Sequence, residues 1–188
     1  MALPDVPKGE SKYVKLQNGE NKLRILADPL VGKGFWAHDK RVRKRLEELI
    51  GQSELDEKSK IKEFWAFPVF NYEDDKVQIF EIHQVTIMSG LKSLEDDNDW
   101  GDLVDYDIVI NRSGDSLDTE YLVIPKPKAT LAKNVKKAWE EIKKTLDLNQ
   151  LFDGSDPFDG DPAEIEKQEE ANKLPDDDIP MEKEVAIG

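Results

Sequence analysis

The chain contains no cysteine, which excludes disulfides, thiolate zinc sites and thiol nucleophiles. It has two histidines, His38 and His83, too few for a histidine-based metal site without carboxylate help. No apolar run approaches the ~20 residues of a membrane span. The stretch around Asp5, Pro7 and Lys8 lacks the pattern of a signal peptide. Walker-type and dinucleotide glycine loops are missing, and Ser89 and Ser116 stand in no nucleophile motif. Asp96, Asp97, Asp99 and Asp102 do not follow the spacing of a calcium loop and read as a solvated acidic turn. The expectation is a soluble, cytoplasmic, non-enzymatic protein with no cofactor and no metal.

Charge is abundant and unevenly placed. Of the net −14, residues 147–188 hold −11, from 14 acidic residues against 3 lysines. The preceding residues carry only −3, and within them Lys8 to Arg45 hold 11 basic against 4 acidic residues, a local +7. A polar acidic block of this kind buries too little apolar surface to fold alone and predicts a disordered interaction tail. The remainder has the size of a single domain.

Four regions follow: a flexible arm over residues 1–11, a folded domain over 12–128, a helix over 129–146 and the acidic tail over 147–188. Within the domain, Leu23 and Ile25 alternate with Lys22 and Arg24, as in a half-buried strand. A basic excursion from Lys33 to Arg45 reads as a long loop, followed by a short helix with Leu46, Leu49 and Ile50 on one face. An aromatic strand, Glu63 to Tyr72, turns at Glu73–Asp74–Asp75 into a second strand, Lys76 to Ile82. Pro68 inside it predicts a bulge or an edge position. Val85, Met88, Leu91 and Leu94 recur at helical spacing, and strands around Ile108 and Val123 come next. Val135, Trp139, Ile142 and Leu146 mark the last helix.

This order, mainly β with a helix between the third and fourth of five strands and a C-terminal helix, is that of an OB-fold, a five-stranded Greek-key barrel. Such a barrel binds single strands with cations along the phosphate path and flat side chains under the bases. Lys33, Lys40, Arg41, Arg43, Lys44 and Arg45 supply cations beside Phe35 and Trp36; Lys22, Arg24 and Arg112 add more. On the aromatic strand, Trp65 and Phe67 share one face and Phe64, Phe70 and Tyr72 the other. Ala66 between Phe64 and Phe70 suits a tight interior and assigns Trp65 and Phe67 to the groove, although Pro68 is able to shift that register. An aromatic strand alone reads as core and a basic run alone as solvated surface. Together, where an OB-fold uses them, they point to nucleic acid.

Several short motifs, in order, resemble the single-stranded DNA-binding proteins of tailed phages. They are Gly19 to Leu26, Phe64–Trp65–Ala66–Phe67 with Asn71–Tyr72, Val77–Gln78–Ile79, Asp99–Trp100–Gly101–Asp102, Tyr106–Asp107–Ile108 and Asp118 to Tyr121 before Pro125. The likeness spans about Lys12 to Pro127. It implies an OB-fold that coats single-stranded DNA with little sequence preference in phage replication, recombination and repair, inside the host bacterial cytoplasm. Asp176, Asp177, Asp178, Ile179 and Pro180 resemble the acidic tip of bacterial single-stranded DNA-binding proteins, which recruits phage or host replication and recombination enzymes. That tip ends in a terminal Phe, whereas Met181 to Gly188 follow here. The expected mechanism has the tail compete with DNA for the groove. The alternative is an acidic DNA mimic that binds a basic protein partner; a metal-dependent nuclease finds no ligand set.

Overall fold

The computed structural model describes residues 11–172. They form a mainly β structure: one seven-stranded antiparallel open sheet with four helices. The strands are β1 (Gly19–Ile25), β2 (Leu30–Ala37), β3 (Lys40–Lys44), β4 (Lys62–Asn71), β5 (Lys76–Ile82), β6 (Tyr106–Ser113) and β7 (Glu120–Lys128). The helices are α1 (Val85–Glu95), α2 (Lys133–Ile142), α3 (Gln150–Asp153) and α4 (Pro162–Asn172). Sheet order is β3-β2-β4-β1-β6-β7, with β5 on the other edge of β4. Among the described residues no ladder joins β5 to β7, so the five-strand barrel expected from element order is not shown; α1 lies against β7 instead.

The two additional strands come from the basic excursion, which is a hairpin rather than a loop. His38 and Asp39 form its two-residue turn with φ of 52° and 58°, the left-handed pair that a tight hairpin of this twist requires. The Asp56 carboxylate accepts both turn amides, from His38 at 2.7 Å and Asp39 at 3.1 Å. The Asp56 amide in turn donates to the Trp36 carbonyl at 2.8 Å. The short helix expected at Leu46–Ile50 does not form. The Glu48 side chain accepts the Arg45 amide at 2.9 Å, closing a turn, and Leu49 is 98% exposed, so no apolar face drives a helix there.

β4 is the axis of the sheet. Its first half pairs with β2 (Gly34↔Lys62 to Leu30↔Ala66) and its second half with β1 (Ile25↔Val69 to Leu23↔Asn71). Pro68 falls in the gap between these ladders, where the chain passes from β1 to β2 and Leu26 donates to the Pro68 carbonyl at 3.0 Å. A missing N–H costs nothing at such a break, which lets proline sit inside a central strand. β4 and β5 pair from Trp65↔Ile82 to Asn71↔Lys76, as the aromatic hairpin in the sequence predicts.

Both faces of β4 are covered. Phe67 and Val69 join Leu23, Ile25, Phe80, Ile82, Ile87, Leu91, Tyr106, Ile108 and Ile110 in the main core, with Trp65 packed at its margin. On the other face Phe70 and Val77 meet Val135, Trp139 and Ile142 of α2. Phe64, Ala66 and Ile79 meet Leu148, Leu151, Phe152 and Phe158. The C-terminal helix expected over 129–146 is thus α2, shorter than its apolar pattern suggests. Packing also extends into the segment read as a disordered tail: Leu148, Leu151, Phe152 and Phe158 lie on the sheet, and α4 follows with no buried residue. Four apolar side chains spaced among Asp, Gly and Pro suffice, because each finds a ready-made sheet face to bury against. Pro162 opens α4, and Asp161 accepts the Ala163 amide at 2.9 Å, the usual chemistry of a helix start. Asp176–Pro180 lie outside the described residues.

Candidate nucleic-acid interface

Strand register places the basic residues. In β2 and β3, Trp36 lies opposite Arg41 and Gly34 opposite Arg43, while Gly34 also pairs with Lys62 of β4. Directly paired residues share a face, so Trp36, Arg41, Arg43 and Lys62 project together. Glu81 of β5, opposite Ala66, projects on the same side. These residues, with Lys58, Ser59, Lys60 and His83, line a groove of about 510 Å³. Five cations face one carboxylate there. Trp36 stands half exposed, at 50%, and its backbone is held by Ser59 Oγ, which accepts the Trp36 amide at 2.7 Å.

Glu81 organises the cations. Its carboxylate accepts from Arg43 Nε at 2.7 Å and lies 3.7 Å from Arg41 Nε. One negative charge shared by two guanidinium groups leaves the cluster positive. Arg41 lies flat because position 34 is glycine: a Cβ there would come within 2.5 Å of the guanidinium. Burial draws the Arg41 pKa down, partly offset by Glu81. The His83 pKa is also lowered, first by desolvation of the ring and then by Arg41 and Lys62, so the groove holds a neutral imidazole at pH 7.

Two of the hairpin's arginines reach aromatic rings of the N- and C-terminal segments. Arg43 lies 5.9 Å over the Tyr13 ring, and Arg45 lies 4.7 Å over the Phe152 ring. Phe152 itself tilts against Phe64 at 6.4 Å between centroids. Lys12 pairs with Asp156, tying the N-terminal segment to the C-terminal one. The open charged area and the covered apolar area are therefore two ends of one sheet face.

Other residues expected at the site are distributed differently. Lys40 is exposed near the hairpin turn. Lys33 donates to the Glu48 carbonyl at 2.7 Å, and Lys44 pairs with Glu48 at 3.6 Å. Phe35 is fully buried and Phe67 is 2% exposed, so neither offers a ring to solvent. This corrects the assignment of Phe67 to a groove: Phe67 lies in the main core, and on the other side of β4 Phe64 and Phe70 are covered by residues 148–158 and α2. Trp65 is half-buried with its Nε1 donating to Glu63 at 3.0 Å. Its recess is lined by Ile25, Phe67, Leu91 and Leu103 and bordered by Asp28, Glu63, Glu95 and Asp102, an acidic setting on the opposite face from the basic groove.

Arg24 is also corrected. At 3% exposure it is core, and it donates to the carbonyls of Val104 at 3.0 Å and Ala129 at 2.6 Å and to Asp107 at 3.3 Å. A buried guanidinium bonded through all three nitrogens holds loops together and is out of reach of a phosphate. Lys22 reaches the same Asp107 at 3.2 Å and lies 4.4 Å over the Tyr72 ring. Tyr72 donates to Asp107 at 2.8 Å; desolvation, then this bond, push its pKa up to about 12. Arg112 lies in a separate recess, donating to the Leu16 carbonyl at 3.0 Å.

Lys58, Lys60 and Lys62 were not among the expected site residues. Their signal was present as lysine at every second position beside the aromatic strand, but it reads as ordinary surface until the hairpin supplies Trp36 opposite. Among the described residues no group of three or more His, Asp or Glu gathers as a metal site, and no helix is long and apolar enough to cross a membrane. Comparison of the chain with models of known families, with curated proteins and with solved structures finds no match.

Proposed function

We propose that the chain is a single-stranded DNA-binding protein without enzymatic activity, acting in the cytoplasm of a phage-infected bacterium in DNA replication, recombination and repair. The observation that carries this reading is the groove in which the half-exposed Trp36 stands among Arg41, Arg43, Lys58, Lys60 and Lys62. Cations neutralise phosphates without reading sequence, and an indole offers a face to any base. A single strand exposes both chemistries at once, whereas a duplex keeps its base faces stacked inside. The order β1, β4, β5, α1, β6, β7 is compatible with an OB-fold carrying the β2–β3 hairpin as an insertion between its first two strands. The motif likeness to phage single-stranded DNA-binding proteins agrees with it.

In this proposal the acidic arm, with Asp176, Asp177, Asp178, Ile179 and Pro180, competes for the groove and recruits replication or recombination proteins. Tethering gives such an arm a local concentration on the order of millimolar.

The test is tryptophan fluorescence on titration with oligo-dT and with duplex DNA across a salt series. Binding to oligo-dT should quench emission and weaken steeply with salt. Trp36→Ala should lose on the order of 1–3 kcal/mol of binding with an unchanged unfolding midpoint. Equal affinity for duplex and single strand, or an unaffected Trp36→Ala variant, would overturn the reading.

A further inference from the structure

Among the described residues, two buried side-chain polar atoms lack a hydrogen-bond partner: Arg41 Nη2 and Arg112 Nε. Leaving a buried donor on a charged group unsatisfied is costly, and such groups call for a functional explanation. The two arginines lie on either side of one residue. Arg41 lines the basic groove, Arg112 lines a second recess of about 270 Å³, and Glu81 borders both. The second recess opens between β5 and β7, where no ladder closes the sheet, and Gln84 and Tyr121 complete its polar lining. Arg112 has no carboxylate within ion-pair distance among the described residues.

We infer that a bound single strand crosses β5 at Glu81 and places a phosphate on Arg112 in this second recess. The inference rests on the single-strand reading above and adds the direction in which the strand leaves the Trp36 groove. Glu81 is only 12% exposed and is engaged by two arginines, so it repels a passing backbone little. Beyond it, Arg112 is the cation that the recess offers. The strand therefore touches two basic stations separated by a neutralised saddle, and short strands fill only the first.

The experiment compares oligo-dT of about 3 and about 12 nucleotides on the full chain, using Arg112→Gln and Gln84→Glu. Arg112→Gln also loses the bond to the Leu16 carbonyl and is able to loosen the N-terminal segment. Gln84→Glu keeps an oxygen for the His83 amide, which Gln84 accepts at 3.2 Å, and simply places a negative charge in the recess. For the longer strand, each variant should weaken binding roughly fivefold, and Arg112→Gln should lower the salt slope by about 0.7, the value of one single-strand phosphate. The shorter strand should bind both variants as it binds the unmodified chain. Equal losses for both lengths, or none for the longer strand, would overturn the path while leaving single-strand binding standing. An unmodified chain that binds neither oligomer would remove the single-strand reading itself.

Discussion

Two hairpins share the outer face of this sheet, and their chemistry is opposite to their accessibility. The β4–β5 hairpin carries Phe64, Trp65, Phe67, Phe70 and Phe80, yet α2 and residues 148–158 cover one side and the main core fills the other. The β2–β3 hairpin carries the half-exposed indole of Trp36 among arginines, and among the described residues no helix packs over it. Aromatic content therefore marks where the structure is held together, and in the proposed function the one half-exposed indole in a charged setting is where the strand binds. A buried ring contributes its transfer free energy to folding and has no face left for a base.

The sharpest way to break this comparison is to truncate one ring from each hairpin. Phe67→Ala removes a core side chain between β1, β5 and α1 and should cost on the order of 3–5 kcal/mol of stability, seen as a large drop in the urea midpoint. Any loss of DNA binding in that variant should track the unfolded fraction. Trp36→Ala should show the reverse, with binding lost and the midpoint kept. A stable Phe67→Ala protein that fails to bind would mean that the β4–β5 hairpin contacts the ligand after all.

Removal of the acidic arm has a smaller effect and sharpens where the boundary lies. Truncation after Asn172 leaves Leu148, Leu151, Phe152 and Phe158 on the sheet and should tighten oligo-dT binding several-fold at low salt, with the gain fading as salt rises. Truncation at Asp147 would instead uncover Phe64, Ala66 and Ile79 and should destabilise the fold, obscuring any gain in affinity. Unchanged binding after the shorter truncation would remove the competition from the proposed function.

The difference between the hairpins also explains what was legible in the sequence. The β1 strand, the Glu73–Asp75 turn and the α1 helix are local signals, and each element forms where it was read, although Arg24 is buried in β1 and Ile87 rather than Val85 is buried in α1. The β2–β3 hairpin was opaque because its turn is His38–Asp39 rather than Asn-Gly and its second strand, Lys-Arg-Val-Arg-Lys, alternates charge with charge. The cover on β4 was opaque because Leu151, Phe152 and Phe158 sit in a stretch whose composition is that of a solvated tail. Arg24 looked like a surface cation because alternation assigns a face without revealing that Ala129 and Val104 fold over it. In the last two cases the deciding partner lies far away in sequence, beyond the reach of periodicity.

The smallest effect tests the open hairpin through its proton balance. His83 faces Arg41, Lys62 and Glu81, and desolvation followed by the two cations lowers its pKa below 6.5. The folded chain therefore prefers the neutral ring, and this residue contributes stability that is present above about pH 6.5 and is lost as pH falls through its lowered folded value. A phosphate in the groove acts in the opposite direction: it raises the pKa of the ring, so binding takes up a proton. Between about pH 7.5 and about pH 5.5, oligo-dT affinity should rise roughly two- to threefold while the unfolding midpoint drifts down. His83→Gln should flatten both trends. A pH dependence of binding that survives His83→Gln would place the titrating group elsewhere and remove His83 from the path of the strand.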